Sequence, residues 1–148
     1  PGFYLFNLEQ TAHSPHYYYH KFDPEDQKSH RRSIYRFVVR SQPNPFMTTL
    51  DCADSSQSTP KRNETLTALQ ALSLLNNKFT LVMSQHFADR LAQEGKGIGY
   101  QIKAGFELVA GRPPNTEEYK LLVQYGEKHG MANLCRSLFS LSEFSFID

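Results

Sequence analysis

The chain has 148 residues, with 16 Lys+Arg against 15 Asp+Glu, two Cys, no Trp and 19 Tyr+Phe. That length suits one domain with a sizeable core, and a formal charge of +1 excludes a nucleic-acid binder driven by bulk charge. No apolar run approaches the ~18–20 residues of a membrane span, two Cys cannot build a disulfide-rich scaffold or a four-thiolate zinc site, and no Cys-x-x-Cys-His occurs to attach haem c.

The chain opens Pro-Gly, with neither an initiating Met nor a signal peptide, and runs at once into apolar residues. This predicts a C-terminal piece of a longer protein. Phe3–Leu8 alternates loosely, Ser14-Pro15 suggests a turn, and Tyr17-Tyr18-Tyr19 follows, so residues 1–22 read as a small aromatic β ribbon. Ten of the 19 aromatics lie in the first 46 residues, which marks this as the side where a partner or the rest of the protein belongs. Asp23-Pro24-Glu25-Asp26 is a helix-start signal. With Ile34, Phe37 and Val38 it predicts a helix over 23–40, although 33–39 also contains β-formers. Pro43 and Pro45 end it. Residues 41–64 carry no periodicity and read as a long ordered loop, the kind that is functional or packed against a partner.

From residue 65 onward the pattern is helical. Leu66, Leu69, Leu72 and Leu75 suggest one face of a short helix. Asn77 can cap a second helix bearing Phe79, Val82, Met83, Phe87 and Leu91. Gly95–Gly99 breaks the chain, and Ile98, Ile102, Phe106 and Val109 form a third stripe closed by Gly111 and Pro113-Pro114. Asn115 or Thr116 with Glu117-Glu118 starts a fourth helix with Leu121, Leu122 and Tyr125 inward. Gly130 precedes a fifth with Leu134, Leu138 and Leu141, and Phe144–Asp148 alternates as an extended tail. The expected architecture is mainly α: five or so short helices in a C-terminal bundle over 65–148, with the N-terminal ribbon and the central loop.

Candidate chemistry is sparse. His13, His16, His20 and His30 fall within 18 residues, and the even spacing of His16 and His20 puts them on one side of a strand or helix. No Cys or acid stands at ligand spacing, so they are weak metal candidates and no metal is expected. Arg31, Arg32, Arg36 and Arg40 are the densest basic cluster. They suit bidentate binding of carboxylate or sulfate groups, or ion pairs with Asp51 or Asp54. Asp51-Cys52-Ala53-Asp54 with Arg62 is the most chemically dense loop segment, but it lacks EF-hand spacing and nothing places a His beside Cys52. Cys52 reads as a structural thiol or as half of a disulfide with Cys135. That bridge would close a loop of more than 80 residues, worth ~2–4 kcal/mol in an oxidising compartment. Gly95-Lys96-Gly97-Ile98-Gly99 lacks the strand and residue order of a phosphate loop and reads as an inter-helix turn. Gln70, Asn76 and Asn77 beside the leucines read as caps and ties for the loop, with a ligand pocket as the alternative.

Several ordered strings resemble a known family. They are Arg31-Arg32-Ser33-Ile34-Tyr35-Arg36, Asn44-Pro45-Phe46, Leu50-Asp51-Cys52-Ala53-Asp54, Thr59-Pro60-Lys61-Arg62-Asn63, Leu69-Gln70-Ala71-Leu72 through Asn77, Ala110-Gly111-Arg112-Pro113-Pro114, Leu134-Cys135-Arg136-Ser137-Leu138, and Glu143-Phe144 to Asp148. Together they resemble the C-terminal domain of unknown function of planctomycete-type cytochrome-C-domain proteins. Two positions depart: Ala68 stands where Pro is usual, removing an N1 proline, and Ser142 stands where Asn is usual. The resemblance implies a periplasmic or extracellular protein, upstream domains of the same chain as partners, and haem c in one of them, with no cofactor in this chain. It carries over no catalytic residue. The lead expectation is therefore a non-catalytic structural or interaction module, with no nucleic-acid partner and with a homo-oligomer as a further option. Two readings stand beside it: part of a redox or polysaccharide-directed envelope enzyme with a site around Arg32, Asp51, Cys52 and Arg62, and a carbohydrate-binding face at Tyr17–Tyr19.

Overall fold

A computed structural model describes residues 8–10, 15–17, 19–27, 30–35, 42–54, 57–58, 60–61, 65, 67–95 and 97–145. The chain divides into two compact units, Pro1–Gln70 and Ala71–Asp148. It is mainly helical, with seven α-helices among the described residues.

In the first unit, β1 (Leu8–Gln10) and β2 (Pro15–Tyr17) pair antiparallel, Leu8 opposite Tyr17 and Gln10 opposite Pro15. Three residues apiece do not make a layer, and residues 1–7 and 11–14 lie outside the described set, so a ribbon over 1–22 is not established. The Tyr19 hydroxyl donates to the Gln42 carbonyl.

The α-helix expected over 23–40 is not what the described part of that stretch forms. Asp23 Oδ1 accepts from Glu25 N at 3.0 Å, and the backbone bonds that follow span three residues, Asp26 N to Asp23 O and His30 N to Gln27 O. Ser33–Tyr35 is a 3-10 turn. A helix nucleus needs a packed apolar face to sustain it, and Gln27 through Arg32 supplies none. Residues 36–40 lie outside the described set.

The 41–64 stretch read as loop contains α1 (Pro45–Thr49), capped by Asn44, whose Oδ1 accepts from Phe46 N and Met47 N at 3.0 and 3.3 Å, with Pro45 at the first helical position.

The second unit is the bundle. α2 (Ala68–Asn76) begins just before it, and α3 (Lys78–Glu94), α4 (Ile98–Ala110), α5 (Thr116–His129), α6 (Met131–Leu138) and the short α7 (Ser142–Ser145) follow. Their ends are set locally. Asn77 Oδ1 accepts from Phe79 N. Gly111 adopts the left-handed φ of 69° that closes α4. Asn115 and Glu118 form a reciprocal capping box.

The core joins Leu91, Ile102, Phe106, Val109, Leu134, Cys135 and Leu138, with Ala88 beside them. α3 packs chiefly on α6, and α5 packs on α4 and α6. Two helix glycines face leucine side chains closely enough that those side chains would have to shift to admit a Cβ. A Cβ at Gly105 would lie 2.9 Å from Leu91, and one at Gly126 would lie 3.1 Å from Leu134.

Three further expectations are corrected, two of side-chain placement and one of backbone. Leu69 and Leu72 are 64% and 55% exposed, because a spacing of three turns each leucine by about 60° and four cannot share a face. On α5, Leu121 points to solvent while Leu122 and Val123 pack on the core, and Tyr125 is exposed against His129. The tail begins helically at Ser142–Ser145 rather than extended, and 146–148 lie outside the described residues.

Candidate functional site

The best-built polar cluster lies in the first unit and centres on Asp51. Leu50 caps the end of α1, and the two turn-closing bonds run from Asp51 N to Thr48 O at 3.2 Å and from Cys52 N to Met47 O at 3.0 Å. This is the helix-ending geometry whose outside position takes a left-handed residue, usually Gly. Asp51 occupies it with φ 56°, the one non-glycine residue at positive φ among those described. Asp tolerates this region better than most residues, but at a cost that surrounding structure must hold.

Three donors hold it. Asp51 Oδ2 accepts from Thr65 N at 2.8 Å, from the Thr65 hydroxyl at 2.7 Å and from Gln70 Nε2 at 2.9 Å. Gln70 Nε2 also donates to Thr65 Oγ1 at 2.8 Å. Its Oε1 accepts from Thr67 N, and Thr67 Oγ1 accepts from Gln70 N. Thr67 and Gln70 thus form a capping box at the start of α2, and the same Gln70 amide reaches across to the end of α1. Gln70 is only 9% exposed, and both of its amide protons and its carbonyl are matched, as a buried amide requires.

The other candidates are dispersed. Cys52 is an exposed free thiol and Cys135 a buried one, so the expected bridge is not formed. Burial pushes the Cys135 thiol up to about 12, which keeps it protonated and inert at neutral pH. Arg31, Arg32 and Asp54 are exposed. Arg36 and Arg62 lie outside the described residues, as do the side chains of His16 and His20. No group of three metal-ligating side chains occurs among the described residues.

Asn76 is engaged from α6. Arg136 Nε donates to Leu75 O at 2.6 Å and Arg136 Nη2 to Asn76 Oδ1 at 2.8 Å, placing a cation on the carbonyl end of α2. A second cluster gathers Arg112, Glu118 and Glu143. Arg112 donates to both Glu118 oxygens at 2.8 and 2.9 Å and to Glu143 at 3.2 Å, and its guanidinium lies 5.0 Å from the Phe106 ring centroid. Hydrogen bonding to Arg112 and then to Asn115 N lowers Glu118 to about 2. Glu143 is held below the usual range by its own backbone N–H and by Arg112.

Sequence reading passed over Thr65, Thr67 and the Arg112 cluster. Thr67-x-x-Gln70 is a readable capping box. Nothing local announces Thr65 or the partners of Arg112.

A family model described as PSD1, protein of unknown function (DUF1553), matches residues 6–126. The chain belongs to the PSD1 family. No curated protein and no solved structure matches it. The PSD1 match contains Asp51, Thr65 and Gln70 and ends at Gly126 in α5, before α6, which supplies Leu134 and Leu138 to the core and Arg136 to the end of α2.

Proposed function

We propose that this chain is a non-catalytic structural and interaction module of a larger periplasmic or extracellular protein, joined there to a cytochrome c domain. The observation that carries the non-catalytic half is the closure of the Asp51 cluster. A general acid or base needs a lone pair or proton directed at a substrate, whereas Asp51 Oδ2 is spent on Thr65 and Gln70 and the Gln70 amide is fully matched. The cluster joins the end of α1 to the start of α2, which is a structural task.

The interaction half is supported by apolar side chains left on the surface. α2 has no charged residue and exposes Leu69 and Leu72, and α5 exposes Leu121 and Tyr125. Such faces favour burial against a partner, and the favoured partner is the remainder of the same polypeptide, with a second copy as the competing occupant. Among the described residues no helix is long and apolar enough to cross a membrane. The resemblance of the ordered motifs to the cytochrome-linked proteins supports the envelope location and the upstream haem.

The test compares amide exchange of the 148-residue chain with that of the full gene product. The module reading expects slowed exchange in α2 or α5 in the longer protein, together with a haem absorption band. Equal exchange in both helices would overturn the interaction role, and a full-length product without haem c would overturn the cytochrome link.

A further inference from the structure

On α5, Tyr119, Leu122 and Val123 pack on the core and Gly126 is buried, which fixes the inward side of the helix. At about 100° per residue, Glu117, Leu121, Gln124 and Lys128 fall on the opposite side, within roughly 60° of one another. All four are exposed, Leu121 at 66%. Tyr125 stands beside them, exposed and tilted against His129. Among the described residues the side chains of Glu117, Gln124 and Lys128 take part in no hydrogen bond or ion pair. The outward stripe therefore reads acid, leucine, amide, base along one helix.

The helix macrodipole favours acids in the first turn and bases in the last on any helix, so the charged ends alone need no further explanation. It does not account for an exposed leucine set between them on the same stripe. That order is complementary to itself. A two-fold axis level with the step from Leu122 to Val123 turns the stripe end for end. It sets Glu117 against the partner's Lys128 and Lys128 against the partner's Glu117. It also brings Leu121 against the partner's Leu121 at the centre and puts Tyr125 beside it. We infer that the outer face of α5 docks antiparallel on α5 of a second copy of this chain.

Charge complementarity separates this occupant from others. A two-fold contact uses the same patch twice, so each charge must find its opposite on an identical surface. An unrelated partner imposes no such order on a single face. α2 makes the contrast, because its exposed leucines lie on a helix without charge and nothing there specifies an opposite. The inference rests on the module reading and narrows it: α5 goes to the second copy, and α2 stays with the remainder of the polypeptide. A helix of 14 residues is about 21 Å long. One pair of such helices buries less than the ~800 Å² per partner of a standard interface, so the dimer is weak and forms in a concentration-dependent way.

The test is sedimentation equilibrium of the 148-residue chain at concentrations up to about 1 mM. A monomer–dimer equilibrium is expected. Leu121→Gln, which keeps helix propensity, should weaken it roughly a hundredfold, since each dimer loses two covered leucines. Glu117→Lys and Lys128→Glu should each weaken self-association by about tenfold, because each turns two attractive pairs into two repulsive ones. Mixed in equal amounts, those two variants should associate with each other as well as the original chain does with itself, because the mixture restores both pairs. All three residues are exposed, and an unchanged helical circular dichroism spectrum confirms that the variants fold. A monomer throughout the range overturns the inference. So does a dimer that Leu121→Gln leaves intact, which moves the contact to another face. Failure of the two charge variants to associate when mixed overturns the antiparallel register. None of these results alters the exchange expected of α2 in the longer protein, so the module reading and this inference fail separately.

Discussion

The two units of this chain are held by different physics. In Ala71–Asp148 the helices meet over Leu91, Ile102, Phe106, Leu134 and Leu138, nearly or wholly without solvent exposure. In the described part of Pro1–Gln70 the elements are short, and Pro24 and Gln70 are the buried residues. Order there rests on directed polar bonds: Asn44 on α1, Asp51 on Thr65 and Gln70, and Tyr19 on Gln42. An apolar core tolerates small shifts because burial is non-directional. A polar tie fails when one partner is removed, because the other stays desolvated. The same chain therefore contains one unit whose stability scales with the apolar volume it buries and one whose order depends on a few hydrogen-bonded atoms.

Thiol chemistry gives the widest expected contrast. Cys52 should react with a maleimide in the native protein, while Cys135, buried and held protonated with its thiol pushed up to about 12, should react only on unfolding. A native rate lower by roughly a thousandfold or more is expected for a group released only by global opening, and mass spectrometry of labelled peptides reads it directly. Comparable labelling of both would break the picture of a closed bundle core.

Next in size is the core itself. Leu134→Ala should cost about 2–5 kcal/mol through lost contact and a residual cavity, measured by urea unfolding followed by circular dichroism.

Asp51→Ala should cost about 1–3 kcal/mol by stranding the Gln70 amide, seen as faster amide exchange in peptides spanning 44–54 and 67–70. Asp51→Gly loses the same acceptor but relieves the left-handed φ, so it should be milder by about 1 kcal/mol. A Gly variant no better than Ala would show that φ 56° carries no strain. In the bundle, Arg136→Ala removes both bonds to the end of α2 and should cost about 1–2 kcal/mol.

The smallest expected effect is acid sensitivity. Glu118 and Glu143 are depressed in the folded state, so their ion pairs with Arg112 stabilise the bundle above the ordinary carboxylate range near 4.5. That contribution is lost as pH falls toward 2, where Glu118 finally protonates. The groups are exposed and screened. The sign is therefore the prediction: the melting temperature falls across that window, and Arg112→Gln flattens the fall.

How far the sequence was legible follows the distance over which each feature is decided. Asn77, Gly111, Asn115 and Gly130 announced their helix ends because a cap bonds within three or four residues of itself. Asn44-Pro45 carried the same kind of signal for α1 inside a stretch read as loop. Leu69 and Leu72 misled because apolar character does not say which side has something to pack against. Of the candidate site, Asp51 and Gln70 were singled out separately and do meet, across 19 positions. Cys52 was singled out as well, but neighbouring Asp51 in the chain does not bring its thiol into the cluster.

By itself the sequence determined the helical class, the starts of α3 to α6 and the apolar stripes of α3, α4 and α6 that reach the core, because period and capping are local properties. Only the tertiary structure decided that Asp51 is a tie, that Arg136 reaches Leu75 across 61 positions, and that Ile34 and Tyr35 face solvent. Those outcomes depend on which distant groups arrive, and a side chain's own neighbours in the chain do not specify its partners in space.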